Sequence, residues 1–272
     1  MLRTSDPAVT SAGAARLGRV EQVMGMPVVI EISRGHASPA TLAGAFRWLH
    51  WVDRTFSTYR PESEISRLRD GTLSRAQASQ AVRSVLDACE ALRAETDGYF
   101  DAWAAGSLDP SGLVKGWAVR GAAALLEQGG AVAYCVNAGG DLIAKAPAPQ
   151  GGCWRIGIQH PLVPDAVAAV LSIADGAIAT SGSYARGDHV VNPRTGRPAS
   201  GLLSATVVGP DLPTADAYAT AAAAMGNAAA EWCLDRGGYE FMLITEDHEV
   251  LATPGLDRFR WAHGASDPAL AS

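Results

Sequence analysis

The stretch from Thr214 to Asp235 is dominated by alanine, including Ala215, Ala217, Ala219 and the run from Ala221 to Ala224. Alanine is the strongest helix former because it loses no side-chain freedom on folding, so this stretch is expected to form the last long helix of the chain. Its small side chains also let a ligand come close. Within Ala215-Asp216-Ala217-Tyr218-Ala219-Thr220, the side-chain oxygens belong to Asp216, Tyr218 and Thr220. Asp216 and Thr220, four residues apart, share one helix face. A carboxylate beside a hydroxyl suits a hard cation such as magnesium. Pro213-Thr214 reads equally as a helix start, which would make Asp216 a first-turn acid opposing the helix dipole. These six residues leave both readings open.

A chain of 272 residues can bury a substantial core as one large domain or two lobes. The net charge of −6 is mild and the basic residues are scattered, which argues against a phosphate-tracking nucleic-acid surface and for a ligand held in a pocket. Cys89, Cys135, Cys153 and Cys233 form no C-x-x-C pair and read as reduced core residues. No apolar run reaches the roughly 18 to 20 residues of a membrane span, and Met1 to Gly18 lacks the apolar centre of a signal peptide. A cytoplasmic protein with no membrane span and no nucleic-acid partner is expected.

Along the chain, Val20 to Ile32 reads as strand interrupted at Met24-Gly25-Met26-Pro27. Leu42, Phe46, Leu49, Val52 and Phe56 recur at helical spacing, and Pro61 forbids easy continuation. Ser63 can cap a short turn to Arg69, and Ala78, Val82, Val85, Cys89 and Leu92 mark another helix, followed by a loop from Tyr99 to Gly112. A helix from about Leu113 to Gln128 stops at Gly129-Gly130. Strands are expected near 133–137, 142–146, 154–159, 170–174, 177–179, 189–191 and 203–208, and the helix 214–235 precedes a hairpin of 239–245 with 250–252. Helices and strands are partly segregated, which favours α+β over a doubly wound sheet.

Several segments carry candidate chemistry. Asp109-Pro110-Ser111-Gly112-Leu113-Val114-Lys115-Gly116 places a carboxylate, a bare backbone and an ammonium around a helix N-terminus, a setting suited to an anion. It is not a Walker loop, and a plain helix entry with a solvated lysine explains it equally well. Asn137-Ala138-Gly139-Gly140-Asp141 ends a strand, where the two glycines can turn the chain sharply or admit close backbone contact. Thr180-Ser181-Gly182 and His189 to Gly196 supply hydroxyls and an imidazole, but the G-x-S-x-G elbow of a serine hydrolase is missing. His189 sits among polar neighbours, and a structural imidazole is as good a reading as a catalytic one.

The order of these motifs carries a resemblance. Met24-Gly25, Phe56 to Ile65, Gly98-Tyr99-Phe100-Asp101, Asp109 to Gly116, Asn137 to Asp141, Thr180-Ser181-Gly182, His189 to Gly196 and Ala215 to Thr220 together resemble the ApbE family, the FAD:protein FMN transferases. The likeness runs from about Met24 to about Gly226. It implies a single T-fold-related α+β domain, a mixed and largely antiparallel sheet packed with helices, spanning 19–262 between mobile tails at 1–18 and 263–272. It also implies a magnesium-dependent transferase that cleaves the diphosphate of FAD, attaches FMN to a Thr or Ser of an acceptor protein and releases AMP. FAD hydrolysis to FMN and AMP is the alternative, and non-catalytic flavin binding another. By resemblance, Asp216, Thr220 and the Gly112 carbonyl are the magnesium ligands. Met24, Tyr59, Tyr99, Phe100, Asp101, Asp109, Lys115 and His189 contact the flavin nucleotide, with Lys115 and His189 as the catalytic pair. Tyr59, Tyr99 and Phe100 offer flat faces for an aromatic ring. The chain departs from the family pattern at Met26, where threonine is usual, and in a short segment between Phe100 and Asp109 that implies a more open flavin site.

Overall fold

Strand residues alternate between two apolar layers, and that alternation sets the architecture. The computed structural model describes residues 17–146, 152–163, 165–182 and 190–261. The chain begins with β1 (Leu17–Val23) and β2 (Met26–Gly35), continues with α1 (Pro39–Phe56), α2 (Glu64–Arg69), α3 (Gln80–Glu95) and α4 (Ser111–Gln128), and returns to strands in β3 (Ala131–Ala138) and β4 (Asp141–Lys145). A ribbon of β5 (Trp154–Gln159) and β6 (Val167–Ile173) follows, then β7 (Asp175–Gly182), the short β8 (Val191–Asn192) and β9 (Arg197–Pro198), and β10 (Leu202–Gly209). The chain closes with α5 (Leu212–Met225), α6 (Ala229–Trp232), β11 (Glu240–Thr245), β12 (Val250–Ala252) and a 3-10 segment, Pro254–Phe259.

Eight strands form one sheet in the order β1-β2-β3-β4-β7-β10-β11-β12, with every pair antiparallel. Tyr134, Val136, Ala177, Ala179, Ala205, Val207, Phe241 and Leu243 face the helices. Their neighbours Cys135, Leu142, Ala144, Ile178, Val208 and Met242 face the β5–β6 ribbon and Leu256. The sheet is therefore the middle of three layers in an α+β domain, as expected. Both faces of its central strands are buried, so they read as nearly continuous apolar runs. Among the described residues no helix is long and apolar enough to cross a membrane.

The β1–β2 hairpin turns on Met24-Gly25, with φ of 54° and 74°. Positive φ at both central residues is the primed turn whose twist matches that of the strands. Helices α1 and α4 join through Trp48, Trp51, Phe56 and Trp117, and Trp48 Nε1 donates to the Ala118 carbonyl at 2.9 Å. One expectation is corrected. The helix read across 214–235 runs only from Leu212 to Met225, then passes through a 3-10 turn at Gly226–Ala228 into the short α6. Gly226 has φ of 63°, and a Cβ there would lie 2.1 Å from the Ser200 carbonyl oxygen, so the loop before β10 forces the break.

Candidate active site

One end of the sheet gathers the polar turns. The Met24-Gly25 tip lies beside the Gly139-Gly140 turn between β3 and β4, where a Cβ on Gly139 would come within 2.8 Å of Met26 Sδ. Antiparallel pairing brings the C-terminal end of β7, with Ser181 and Gly182, to the same end. Against it stand the first turns of α4 and the N-terminal half of α5, which cross closely. A Cβ on Gly116 would sit 2.8 Å from the Leu212 carbonyl oxygen, so glycine is what permits this approach.

The crossing determines what Asp216 does. Helix α5 is capped by Asp211, whose carboxylate accepts from Thr214 N at 3.1 Å, so Asp216 lies beyond the first turn. Its side chain is almost fully buried and its Oδ2 accepts from Gly116 N at 3.0 Å, across 100 positions of sequence. In a regular helix that N–H would bond the Gly112 carbonyl. Asp216 thus competes for the donor of the carbonyl expected to face a metal. Its Oδ1 is 3.7 Å from Lys115 Nζ, and the same ammonium is 2.7 Å from Oδ2 of Asp141, which is fully buried. Burial pushes the Asp216 carboxyl well above the usual carboxylate range; Asp141 adds to the rise, while Lys115 and the Gly116 N–H oppose it.

Thr220 continues the line along α5. Its Oγ1 is 3.3 Å from Ser181 Oγ, and a Cβ on Gly112 would fall 3.1 Å from that oxygen. Gly112, Thr220, Asp216 and Lys115 are thus brought together, from segments about a hundred residues apart. Among the described residues no three His, Cys, Asp or Glu side chains gather around a metal-sized point. A cation here must therefore complete its shell with hydroxyl and carbonyl oxygens and water, which suits magnesium and not zinc. A cation here would favour the ionised Asp216 carboxylate that burial alone opposes.

The other expected residues are placed more diversely. Phe100 is buried, its ring 3.3 Å from where a Gly112 Cβ would be, so it shapes the start of α4. Tyr99 carries the Arg194 guanidinium 4.2 Å from its ring centroid, and Arg194 also donates to the Asp97 carbonyl at 2.9 Å. Asp101 accepts from Arg93 Nε at 2.9 Å and Trp103 N at 2.8 Å, and Asp109 from Ser111 N at 3.0 Å, so both tie loop to helix. Met24 is half-buried at its turn, whereas Tyr59 is 95% exposed in the turn after α1. Of the three flat faces expected, Tyr59 is open, Tyr99 is covered on one side and Phe100 is in the core. His189 lies outside the described residues, as do Ser183 to Asp188.

Sequence reading places Asp141 in a strand-end motif that turn chemistry explains as well as a ligand contact, and gives it no role in the site. Its Oδ1 accepts from Thr180 N at 3.1 Å, just past the last β4–β7 pair, Leu142 with Ile178. The available signal was an acid opening an apolar strand, at a position whose alternation points it toward the helices.

A sequence profile of the ApbE family matches residues 24–106 and 103–243. The chain is 35% identical over 156 residues to the FAD:protein FMN transferase of Salmonella typhimurium, covering 54% of this chain and 45% of that protein. It is 32% identical over 159 residues to the protein of the same name in Rhodobacter capsulatus, covering 54% and 30%. The match therefore spans less than half the length of these relatives. In fold, the ApbE protein of Thermotoga maritima superposes with a TM-score of 0.82 at 22% identity, covering 91% of this chain and all of that one. The flavin transferase ApbE of Vibrio cholerae gives 0.79 at 24%, with the same coverage. With the profile extending over most of its length, this chain belongs to the ApbE family.

Proposed function

We propose that this protein is a magnesium-dependent FAD:protein FMN transferase: it cleaves the FAD diphosphate, joins FMN through a phosphoester to a Thr or Ser of an acceptor protein, and releases AMP. The observation that carries this reading is the meeting of Asp216, Thr220, Gly112 and Lys115 at one end of the sheet, in a chain whose relatives bear that name. Asp216, Thr220 and the Gly112 carbonyl are assigned as the magnesium ligands. Bound there, the ion supplies charge neutralisation and Lewis acidity at the diphosphate oxygens.

The chain's own residues do the remaining work. Lys115, 23% exposed at its side chain, presents a point charge from the start of α4 to a phosphate oxygen. Gly112 leaves no Cβ between that helix and a ligand. The half-buried Met24 and the open Tyr59 are assigned to the flavin nucleotide, with Tyr99, Phe100, Asp101 and Asp109 forming the wall between α3 and α4. His189 is assigned as the base that takes the proton of the attacking hydroxyl.

The test is to incubate the protein with FAD and magnesium, with and without a Thr-bearing acceptor, and to follow AMP release and in-gel flavin fluorescence. AMP formed together with a fluorescent acceptor supports transfer. AMP and free FMN without acceptor would make the site a pyrophosphatase, and intact bound FAD would make it a flavin-binding protein.

A further inference from the structure

We propose that Asp141 is the positioning residue of Lys115: its buried carboxylate draws the ammonium away from Asp216 and so leaves Asp216 Oδ1 for a cation. The proposal rests on reading this end of the sheet as a metal-dependent flavin-nucleotide site. Asp141 is built to hold a fixed direction. It opens β4, is fully buried, and its Oδ1 is pinned by Thr180 N at 3.1 Å. Its Oδ2 lies 2.7 Å from Lys115 Nζ, a short ion-pair contact. Asp216 Oδ1 stands 3.7 Å from the same ammonium, while its Oδ2 is fixed by Gly116 N at 3.0 Å.

By inverse distance alone, the pull of Asp141 on Lys115 is about 1.4 times that of Asp216. Without the Asp141 charge, a shift of about 1 Å puts Lys115 in direct contact with Asp216. A cation would then have to displace an ammonium before reaching its carboxylate.

The test is Mn2+ titration of the metal-free protein, without FAD, followed by electron paramagnetic resonance. It uses wild type, Asp141→Asn, Lys115→Met and the double variant. Asn keeps the oxygen that accepts from Thr180 N. Asp141→Asn is expected to weaken Mn2+ binding about tenfold or more, the size of coupling between close charges. Lys115→Met is expected not to weaken it. The double variant is expected to bind within about twofold of Lys115→Met, because the competitor is gone. Wild-type affinity in Asp141→Asn would overturn the proposal. So would a double variant binding markedly worse than Lys115→Met, which would make Asp141 itself a ligand. That last comparison stands even if Asp141→Asn alone is too unstable to titrate. A wild type that binds no Mn2+ would overturn the metal reading beneath it, a distinguishable failure.

Discussion

Gly116→Ala tests whether the crossing of α4 and α5 builds the site. The added Cβ would meet the Leu212 carbonyl oxygen at 2.8 Å, the Leu212 carbonyl carbon at 3.0 Å and Pro213 Cα at 3.0 Å. All three are backbone atoms at the rigid, proline-bearing start of α5, so no side chain can rotate aside and the helices must separate. Overpacking of this kind costs about 1–3 kcal/mol. Separation also stretches the 3.0 Å bond from Gly116 N to the buried Asp216, and leaving a buried polar group unpaired costs about 1–3 kcal/mol. Alanine's higher helix propensity returns about 1 kcal/mol. The net expectation is a loss of about 1–5 kcal/mol, or a melting point lower by roughly 3–15 °C for a domain of this size. Urea unfolding followed by tryptophan fluorescence measures it, since Trp48 and Trp117 lie in the α1–α4 interface. Gly44→Ala is the control: on α1 its Cβ would meet only Arg47 Nη2 at 3.6 Å, so the same change should stabilise by up to about 1 kcal/mol. If Gly116→Ala is as stable as wild type, the crossing does not depend on the missing Cβ and the reasoning fails.

Three further outcomes are expected. The carboxyl of Asp216 is raised above 3.8 in the folded state, so ionising it opposes folding; that penalty is absent below about pH 4 and grows as pH rises toward the folded value. Metal-free Asp216→Asn should therefore gain stability relative to wild type as pH rises above about 4; a gap that does not change with pH would contradict this. Tyr59→Ala should change stability by less than about 0.5 kcal/mol, because the side chain is 95% exposed, while weakening FAD binding several-fold in flavin fluorescence titrations. Unchanged FAD affinity would remove Tyr59 from the pocket. Cys89, Cys135 and Cys233 are buried with thiols pushed up to about 12, and Cys153 is exposed. A disulfide reagent at pH 8 should titrate one thiol rapidly and the others only on unfolding, and a second fast thiol in the native protein would argue against this burial.

The sequence made local structure legible and left meetings between distant segments obscure. Leu42, Phe46, Leu49, Val52 and Phe56, read from helical spacing, are all buried on α1, and the Met24-Gly25 interruption is a hairpin turn. The break at Gly226 was illegible because alanine runs continue on both sides of Met225-Gly226-Asn227; the Ser200 carbonyl that forces it comes from another loop. Pairing Asp216 with Thr220 needed only the helix repeat. Placing Gly112 against Thr220 drew on resemblance, since nothing local connects them. Asp141 escaped because Gly139-Gly140 already explained its neighbourhood as a turn. Its partners, Lys115 and Thr180, lie 26 and 39 positions away in opposite directions.

The alanines of α5 acquire a second meaning from this arrangement. Packed helices ordinarily keep their axes about 8–10 Å apart, a gap filled by long side chains. Asp and Thr are too short to act across such a gap on a neighbouring backbone. Here Ala215, Ala217, Ala219 and Ala221 to Ala224 are buried on α5, Ala177, Ala179 and Ala205 face the helices from the sheet, and Gly116 bares α4. Small surfaces on every side let backbones approach, so that Asp216 reaches the Gly116 N–H and Thr220 lies against Gly112 and Ser181. Each alanine buries little apolar area, so this contact yields less hydrophobic stabilisation than a leucine-filled one. What it gains is proximity. A larger side chain at Ala215 or Ala219 would add buried surface while lifting α5 off its neighbours. The composition that first marked this stretch as a helix is thus also what allows its two polar residues to reach across the site.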